Sequence, residues 1–332
     1  MRAVIYDAVG ARPRLTDVSP PSCPDDGAVI DVAATGICRS DWHAWRGHDP
    51  VPLPHIGGHE FAGVVASVGR SVSGFKPGDR VTVPFVNGCG RCEWCMTGQA
   101  QVCPDQTQPG FTHAGSFAEQ VAVRAADLNL VTLPDRIDFI SAASLGCRFA
   151  TAYRAVTEHG RVSPGDRVAV FGCGGVGLSA VMIAVALGAD VYAIDPSPAA
   201  RSFAADLGAK PVDRIDDVHV SIDALGSAAT ADASVRALRR HGRHVQVGLM
   251  LGESARAPLP WDLVVGRELE IYGSHGMAAA DYPAMLAMIA DGRLNPRLLV
   301  GDVVPLAEVG RVLSAMDEPV ARSSGVTVAV TK

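Results

Sequence analysis

Four cysteines, Cys89, Cys92, Cys95 and Cys103, fall within fifteen residues in the pattern C-x2-C-x2-C-x7-C. Thiolates are soft ligands, and four of them close the tetrahedral shell that Zn2+ takes in structural sites. The short spacers let one loop supply all four. Gly90, Arg91, Glu93, Trp94 and Gly98 between them suit a tight polar loop rather than a buried strand. Two disulfides in an exported chain are the alternative, which the spacing disfavours. A complete thiolate shell leaves no position open for substrate, so this metal is expected to hold structure and do no chemistry.

A second constellation is scattered. Cys38 lies in Gly36-Ile37-Cys38-Arg39-Ser40-Asp41-Trp42-His43, the pair His59-Glu60 follows Gly57-Gly58, and Cys147 follows Leu145-Gly146. Two cysteines and one histidine make a zinc shell whose fourth position stays open for chemistry. Sequence distance alone does not unite them. Taken singly, Cys147 reads as a buried core thiol and His59 as an ordinary loop histidine.

A third pattern is contiguous. The apolar run Val168-Ala169-Val170-Phe171 leads into Gly172-Cys173-Gly174-Gly175-Val176-Gly177 and then a helical stretch from Leu178 to Leu187. Strand, G-x-G-x-x-G and helix in that order are what a dinucleotide pyrophosphate requires. Gly172 permits the tight turn, Gly174 lets the backbone approach the phosphates, Gly177 lets helix and strand pack closely, and the helix N-terminus offers free N–H groups. The next strand, Val191 to Ile194, ends at Asp195, near the interval of ~20 residues expected for the acid that bonds the adenosine ribose. An acid there repels a 2′-phosphate, so NAD is expected over NADP. Arg201 is the residue that could pair with a phosphate were Asp195 to turn away.

These residues need elements to hold them. At 332 residues the chain is long enough for roughly two domains, each burying its own core. The first half alternates short β-branched runs (28–33, 63–68, 80–85, 116–123) with Gly and Pro, which predicts an irregular, mostly antiparallel β domain. From about Ser141, Ala-rich helical stretches separate strands at 167–171, 191–194, 218–223 and 244–247, which predicts a parallel sheet covered on both faces. A helix over 281–292 and strands near 298–304 and 326–330 follow, and periodicity does not say which domain they join. The fold class is therefore α/β.

Hydrophobic residues make up 48%, charged ones 19%, and the formal charge is −6, so there is no basic footprint for nucleic acid or an anionic membrane. Small-molecule partners are expected. The N-terminus lacks the apolar stretch of a signal peptide and no apolar run is long enough to span a bilayer. A cytoplasmic location follows as the expectation, and reduced thiols there favour metal over disulfide.

Over nearly its whole length the chain resembles the zinc-dependent medium-chain alcohol dehydrogenases. The matching residues are Gly36-Ile37-Cys38-x-Ser40-Asp41-x-His43, Gly58-His59-Glu60-Phe61-Ala62-Gly63, the four-cysteine lobe, Leu145-Gly146-Cys147 with Thr151 and Tyr153, and the glycine loop with Asp195. The resemblance implies a GroES-like β-barrel over 1–148 with its zinc lobe at 88–104, a Rossmann NAD-binding domain over 149–275, and a segment, 276–332, that completes the first domain. It implies two zinc ions per chain, with Cys38, His59 and Cys147 holding the catalytic one, as two cysteines and a histidine do in alcohol dehydrogenases. Glu60 would sit behind that metal and enter its shell conditionally, while Asp41 would orient His59. An open Zn2+ acidifies a bound alcohol, which then gives hydride to the nicotinamide. Ser40 would take the proton and pass it through the ribose hydroxyls to His43.

The resemblance also carries Arg39 to the cofactor pyrophosphate, Val176 and Thr151 to the back of the nicotinamide ring, and Val247-Gly248-Leu249 to its carboxamide. It makes Phe85 a substrate-pocket wall, with Trp42, Trp45 and His48 narrowing the same cleft. Cys23 and Cys173 match no ligand position. One departure stands out: where many relatives begin the last strand with a phosphate-binding arginine, this chain reads Ser323-Ser324-Gly325-Val326, and Arg322 is out of register. The implied activity is reversible oxidation of a primary or secondary alcohol to aldehyde or ketone in a homodimer or homotetramer. A polyol or amino-alcohol dehydrogenase, and a zinc- and dinucleotide-binding sensor without turnover, are the alternatives.

Overall fold

The computed structural model describes residues 1–318 and 325–331. It divides into two compact units, Met1–Ala150 with Gly276–Lys332, and Thr151–His275. The tail whose membership periodicity leaves open thus belongs with the first unit.

In the first unit a seven-stranded sheet is organised on the ten-residue strand Ala28–Ile37. That strand pairs antiparallel with Glu60–Val68, with Val326–Val330 and with Gln120–Val123. Ile30, Phe61, Val65, Val81, Val83, Val121 and Val123 form the apolar core that this pairing encloses. Register places the chemistry. Gly36 faces Glu60, so the C-terminal end of one strand delivers Cys38 beside His59, the residue just before its neighbour begins. The strand expected over 80–85 ends instead at Thr82, because Pro84 has no N–H for the ladder. The one expected from Ser116 begins only at Gln120.

In the second unit six parallel strands lie in the order Lys210–Pro211, Asp190–Ile194, Arg167–Phe171, Val218–Asp223, Leu238–Gln246, Glu270–Gly273. This is the doubly wound dinucleotide-binding order, with the chain reversing direction across the sheet beside Arg167–Phe171. The expected strand at 244–247 starts earlier, at Leu238. A register shift between Val218 and Val220 and a positive φ at His241 irregularise its polar first half, which hides it from a pattern of alternation. Ser197 caps the helix Pro198–Asp206 by accepting from the Ala200 N–H.

Two glycines of the loop have physical reasons. Gly172 has φ +89°, a left-handed conformation that side chains resist. A Cβ on Gly177 would stand 1.8 Å from the Gly172 carbonyl oxygen, so the helix Gly175–Ala186 can approach the first strand only with hydrogen at that position. Gly177→Ala is expected to cost about 1–3 kcal/mol through forced backbone displacement. That lowers the melting temperature at about 2–4 °C per kcal/mol and weakens dinucleotide binding. A thermal melt and a dinucleotide titration both unchanged from wild type would contradict this account of the loop.

Candidate active site

The four lobe cysteines converge from a helical turn, Glu93–Met96, and a 3-10 turn, Ala100–Val102. Their sulfurs all lie within 4.8 Å of one another. Cys92 Sγ is 3.5 Å from Cys95 Sγ and 3.7 Å from Cys103 Sγ. A tetrahedron with Zn–S of about 2.3 Å has edges of about 3.8 Å, whereas a disulfide needs about 2.05 Å. All eight cysteines are free thiols. The donor set therefore fits a closed zinc shell. Backbone N–H donation, first from Arg91, pulls the Cys89 thiol down to about 6, while burial pushes Cys95 up to about 12.

Cys38, His59 and Cys147 also converge, with their ligand atoms within 4.8 Å of one another. Three different elements bring them. Cys38 is the N-cap of the helix Arg39–Trp45, His59 precedes the strand Glu60–Val68, and Cys147 sits in the π-helical turn Leu145–Phe149. His59 is fully buried, and its Nε2 has no hydrogen-bond partner. An orphaned buried nitrogen is costly unless a ligand takes it. Its other nitrogen, Nδ1, lies 2.9 Å from Asp41 Oδ1. Asp41 fixes the ring through Nδ1, so that Nε2 is the nitrogen left to face the two thiols. Burial works against a charged imidazole here, but Asp41 and Cys38 outweigh it and hold His59 well above its ordinary value. The Cys147 thiol donates to Cys38 and, with Arg148 and His59 nearby, pulls Cys38 well below the ordinary thiol range. This donor set and charge pattern fit a bound cation with one open position.

Around the trio stand the residues proposed for chemistry. Ser40 Oγ is 3.8 Å from Cys38 Sγ. The His59 ring meets Phe85 at 6.2 Å and Phe111 at 5.1 Å between centroids, so two aromatic walls flank it. His43 Nδ1 is 3.0 Å from His48 Nδ1. Trp42 contacts both imidazoles edge-on, at 5.0 and 5.2 Å.

Other expected residues are placed differently. Arg39, expected to reach toward a pyrophosphate, stacks 3.6 Å over Trp42 and donates to the Met316 carbonyl at 2.7 Å. Trp42 donates through its indole N–H to Asp317 at 2.7 Å, which anchors the ring to the C-terminal segment. Trp45 does not narrow a cleft. It is buried in the core formed with Tyr6, Ile37 and Leu313, and its indole N–H donates to the Ala11 carbonyl. Glu60 is not among the clustered ligand atoms, as the conditional role expected of it allows; both its oxygens accept from Arg148. Arg148 escaped the sequence reading, although a lone arginine in the apolar run from Leu145 to Ala152 was its signal.

In the second unit Gly174 caps the helix that begins with Gly175, Val176 and Gly177, and a Cβ on Gly174 would meet nothing within 4 Å. Asp195 accepts from the Cys173 N–H at 2.7 Å and the Ser197 N–H at 2.8 Å, so the acid also shapes the glycine loop. Arg201 pairs with Asp213 at 2.6 Å. Val247 and Gly248 both donate from their N–H groups to the Asp223 carbonyl, and Thr151 is buried. Arg322, Ser323 and Ser324 lie outside the described residues. Among the described residues no helix is long and apolar enough to cross a membrane.

Comparison with known proteins agrees with this geometry. The family described as alcohol dehydrogenase GroES-like domain matches residues 24–135, and that described as zinc-binding dehydrogenase matches residues 175–291. The chain is 31% identical over 332 residues to an alcohol dehydrogenase of Geobacillus stearothermophilus, covering 95% of this chain and 96% of that one. It is 32% identical over 311 residues to a D-arabitol-phosphate dehydrogenase of Enterococcus avium, covering 88% and 87%. Among solved structures, alcohol dehydrogenase TADH from Thermus sp. ATN1 matches with 31% identity and a TM-score of 0.93 over 100% of both chains. The chain belongs to the zinc-dependent medium-chain dehydrogenases, and it is an oxidoreductase with a GroES-like unit and a Rossmann unit.

Asp41 touches His59, Gly58 and Cys38 at once. Asp41→Asn places an N–H where a lone pair is needed, and loss of such an outer partner typically costs 10–100-fold in metal affinity. Competition with a chelator is expected to strip one zinc from this variant at a correspondingly lower chelator concentration, while the lobe zinc stays. Equal retention of both zincs would exclude the role given to Asp41.

Proposed function

We propose that the protein is a zinc-dependent alcohol dehydrogenase exchanging hydride between an alcohol and NAD. The observation that carries this is the buried convergence of Cys38, His59 and Cys147 around an unpartnered His59 Nε2. These three residues would hold the catalytic zinc, and Cys89, Cys92, Cys95 and Cys103 the structural one. A zinc with an open position supplies Lewis acidity that makes an alcohol proton easy to remove near neutral pH.

The chain's own groups then handle that proton. Ser40, next to Cys38 in space, takes it, and His43 relays it outward. Burial first, then the neighbouring Arg39 guanidinium, pushes the His43 imidazole below its ordinary value of 6.5. It is therefore neutral at pH 7, with a lone pair ready to accept. As pH falls through this lowered value the ring protonates and the relay stops. His43→Gln is expected to lower alcohol oxidation about 10–100-fold at pH 7, the scale of a lost general base, and to abolish that acid limb. An unchanged pH profile would remove His43 from the relay.

NAD is favoured over NADP because an acid, Asp195, follows the strand Asp190–Ile194 at the position from which it would repel a 2′-phosphate. Arg201, the cation that could offset it, is already engaged by Asp213. For substrate, a thiol rather than an acid at Cys147, together with the full cysteine lobe, favours a simple alcohol. The similarity to a D-arabitol-phosphate dehydrogenase keeps a polyol as the second reading. One experiment separates these: reduction of NAD and NADP measured across linear, branched, aromatic and polyol alcohols, with zinc counted in the same preparation. Turnover with simple alcohols and NAD at two zincs per chain is expected. Silence on all of them at full zinc content would leave the sensor reading standing instead.

A further inference from the structure

Each of the three clustered ligands has an immediate neighbour in sequence: Ile37 before Cys38, Glu60 after His59, and Arg148 after Cys147. The structure ties these three neighbours to one another. Arg148 donates to Glu60 Oε1 from its backbone N–H at 2.9 Å and from Nε at 3.2 Å. Its Nη2 donates to Glu60 Oε2, and its Nη1 donates to the Ile37 carbonyl at 3.3 Å. Glu60 is fully buried and Arg148 is 9% exposed. Gly36 makes the room: a Cβ there would stand 2.8 Å from Glu60 Oε2 and 3.1 Å from Arg148 Nη2.

We propose that Arg148 is a positioning residue whose contacts with Glu60 and Ile37 pre-assemble Cys38, His59 and Cys147 for metal and keep Glu60 out of the metal's shell. This rests on the reading of those three residues as a zinc site. The three ligands arrive on three separate segments, and each segment left loose would lose conformational entropy at the moment of metal binding. A tie at the residue next to every ligand removes that freedom as the chain folds. Charge balance alone does not account for the arrangement. Neutralising Glu60 needs one cation, whereas the Ile37 carbonyl is an uncharged partner that Nη1 reaches while Nε and Nη2 of the same planar fork hold Glu60. Tyr282 acts on the same turn, its O–H donating to the Gly146 carbonyl at 3.3 Å. The turn bearing Cys147 is thereby held from the C-terminal segment as well.

The test measures zinc release from the full-length protein to a chromogenic chelator, with zinc counted beforehand. Wild type is expected to hold two zincs per chain and to release one slowly and the lobe zinc separately. A wild type carrying only the lobe zinc would sink the reading of the site itself, whatever Arg148 does. Arg148→Lys keeps the charge and loses the fork. The double variant Glu60→Met, Arg148→Met removes both charges and leaves no buried ion unpaired. Each folded variant, checked by circular dichroism, is expected to release the second zinc about tenfold faster or more, with lobe release unchanged. If one variant fails to fold, the other decides. Release at the wild-type rate in either folded variant would show that Arg148 balances charge and positions nothing.

Discussion

The first unit's site depends on one buried carboxylate. Asp41 accepts at Oδ2 from the Cys38 N–H at 2.8 Å, and at Oδ1 from the Gly58 N–H at 3.1 Å and from His59 Nδ1 at 2.9 Å. The first contact closes the cap of the helix Arg39–Trp45, the helix that carries Ser40 and His43. The second shapes the turn before His59, and the third sets its tautomer. A buried carboxylate is costly unless hydrogen-bonded throughout, so the same energetic demand that fills its lone pairs also fixes a ligand thiol, a ligand imidazole and the start of the helix bearing the proposed relay.

Sheet register makes that carboxylate's reach possible. Because Gly36 opposes Glu60, the chain leaving one strand and the chain entering its neighbour are adjacent at the same end of the sheet. Antiparallel pairing converts twenty-odd residues of sequence separation into side-by-side placement. Small residues keep the approach open. A Cβ on Gly58 would stand 2.7 Å from the Ser116 hydroxyl and the Phe117 ring, and one on Gly146 would stand 2.9 Å from the Val83 carbonyl oxygen. The four-cysteine lobe needs none of this long-range support, since its donors lie within fifteen residues and two short turns.

That difference explains what the sequence could and could not reveal. The lobe and the glycine loop are local patterns, and both were legible because their spacing alone states their geometry. Cys38, His59 and Cys147 are not local; only resemblance united them, since register and a π-helical turn leave no periodic trace. Arg148 was missed for a related reason. A charged residue in an apolar stretch announces a partner but not which one, and Glu60 stands 88 positions away. Trp45 lies in the core rather than along a cleft because a tryptophan's choice between the two is made by tertiary neighbours such as Leu313, which leave no mark in local sequence.

The charges around the trio explain why such a site should be a metal site at all. Arg148 satisfies Glu60, which leaves Asp41 and two thiols enclosed with a single imidazole. The hydrogen bond with Cys38, then burial and the charges of Cys38 and Glu60, raise Cys147; burial, then Cys147 and Glu60, raises Tyr282, as low dielectric and anionic neighbours do to acidic groups. A protonated His59 can offset only one of the anions, and its proton would occupy the Nε2 that faces the thiols. A divalent cation relieves all of these strains together: it takes the orphaned nitrogen, accepts both sulfurs as thiolates and leaves Asp41 bound to a neutral ring. The donor arrangement therefore makes sense as an electrostatic unit only when completed by a dication, and the lobe, with no carboxylate in its donor set, reaches the same end by thiolates alone.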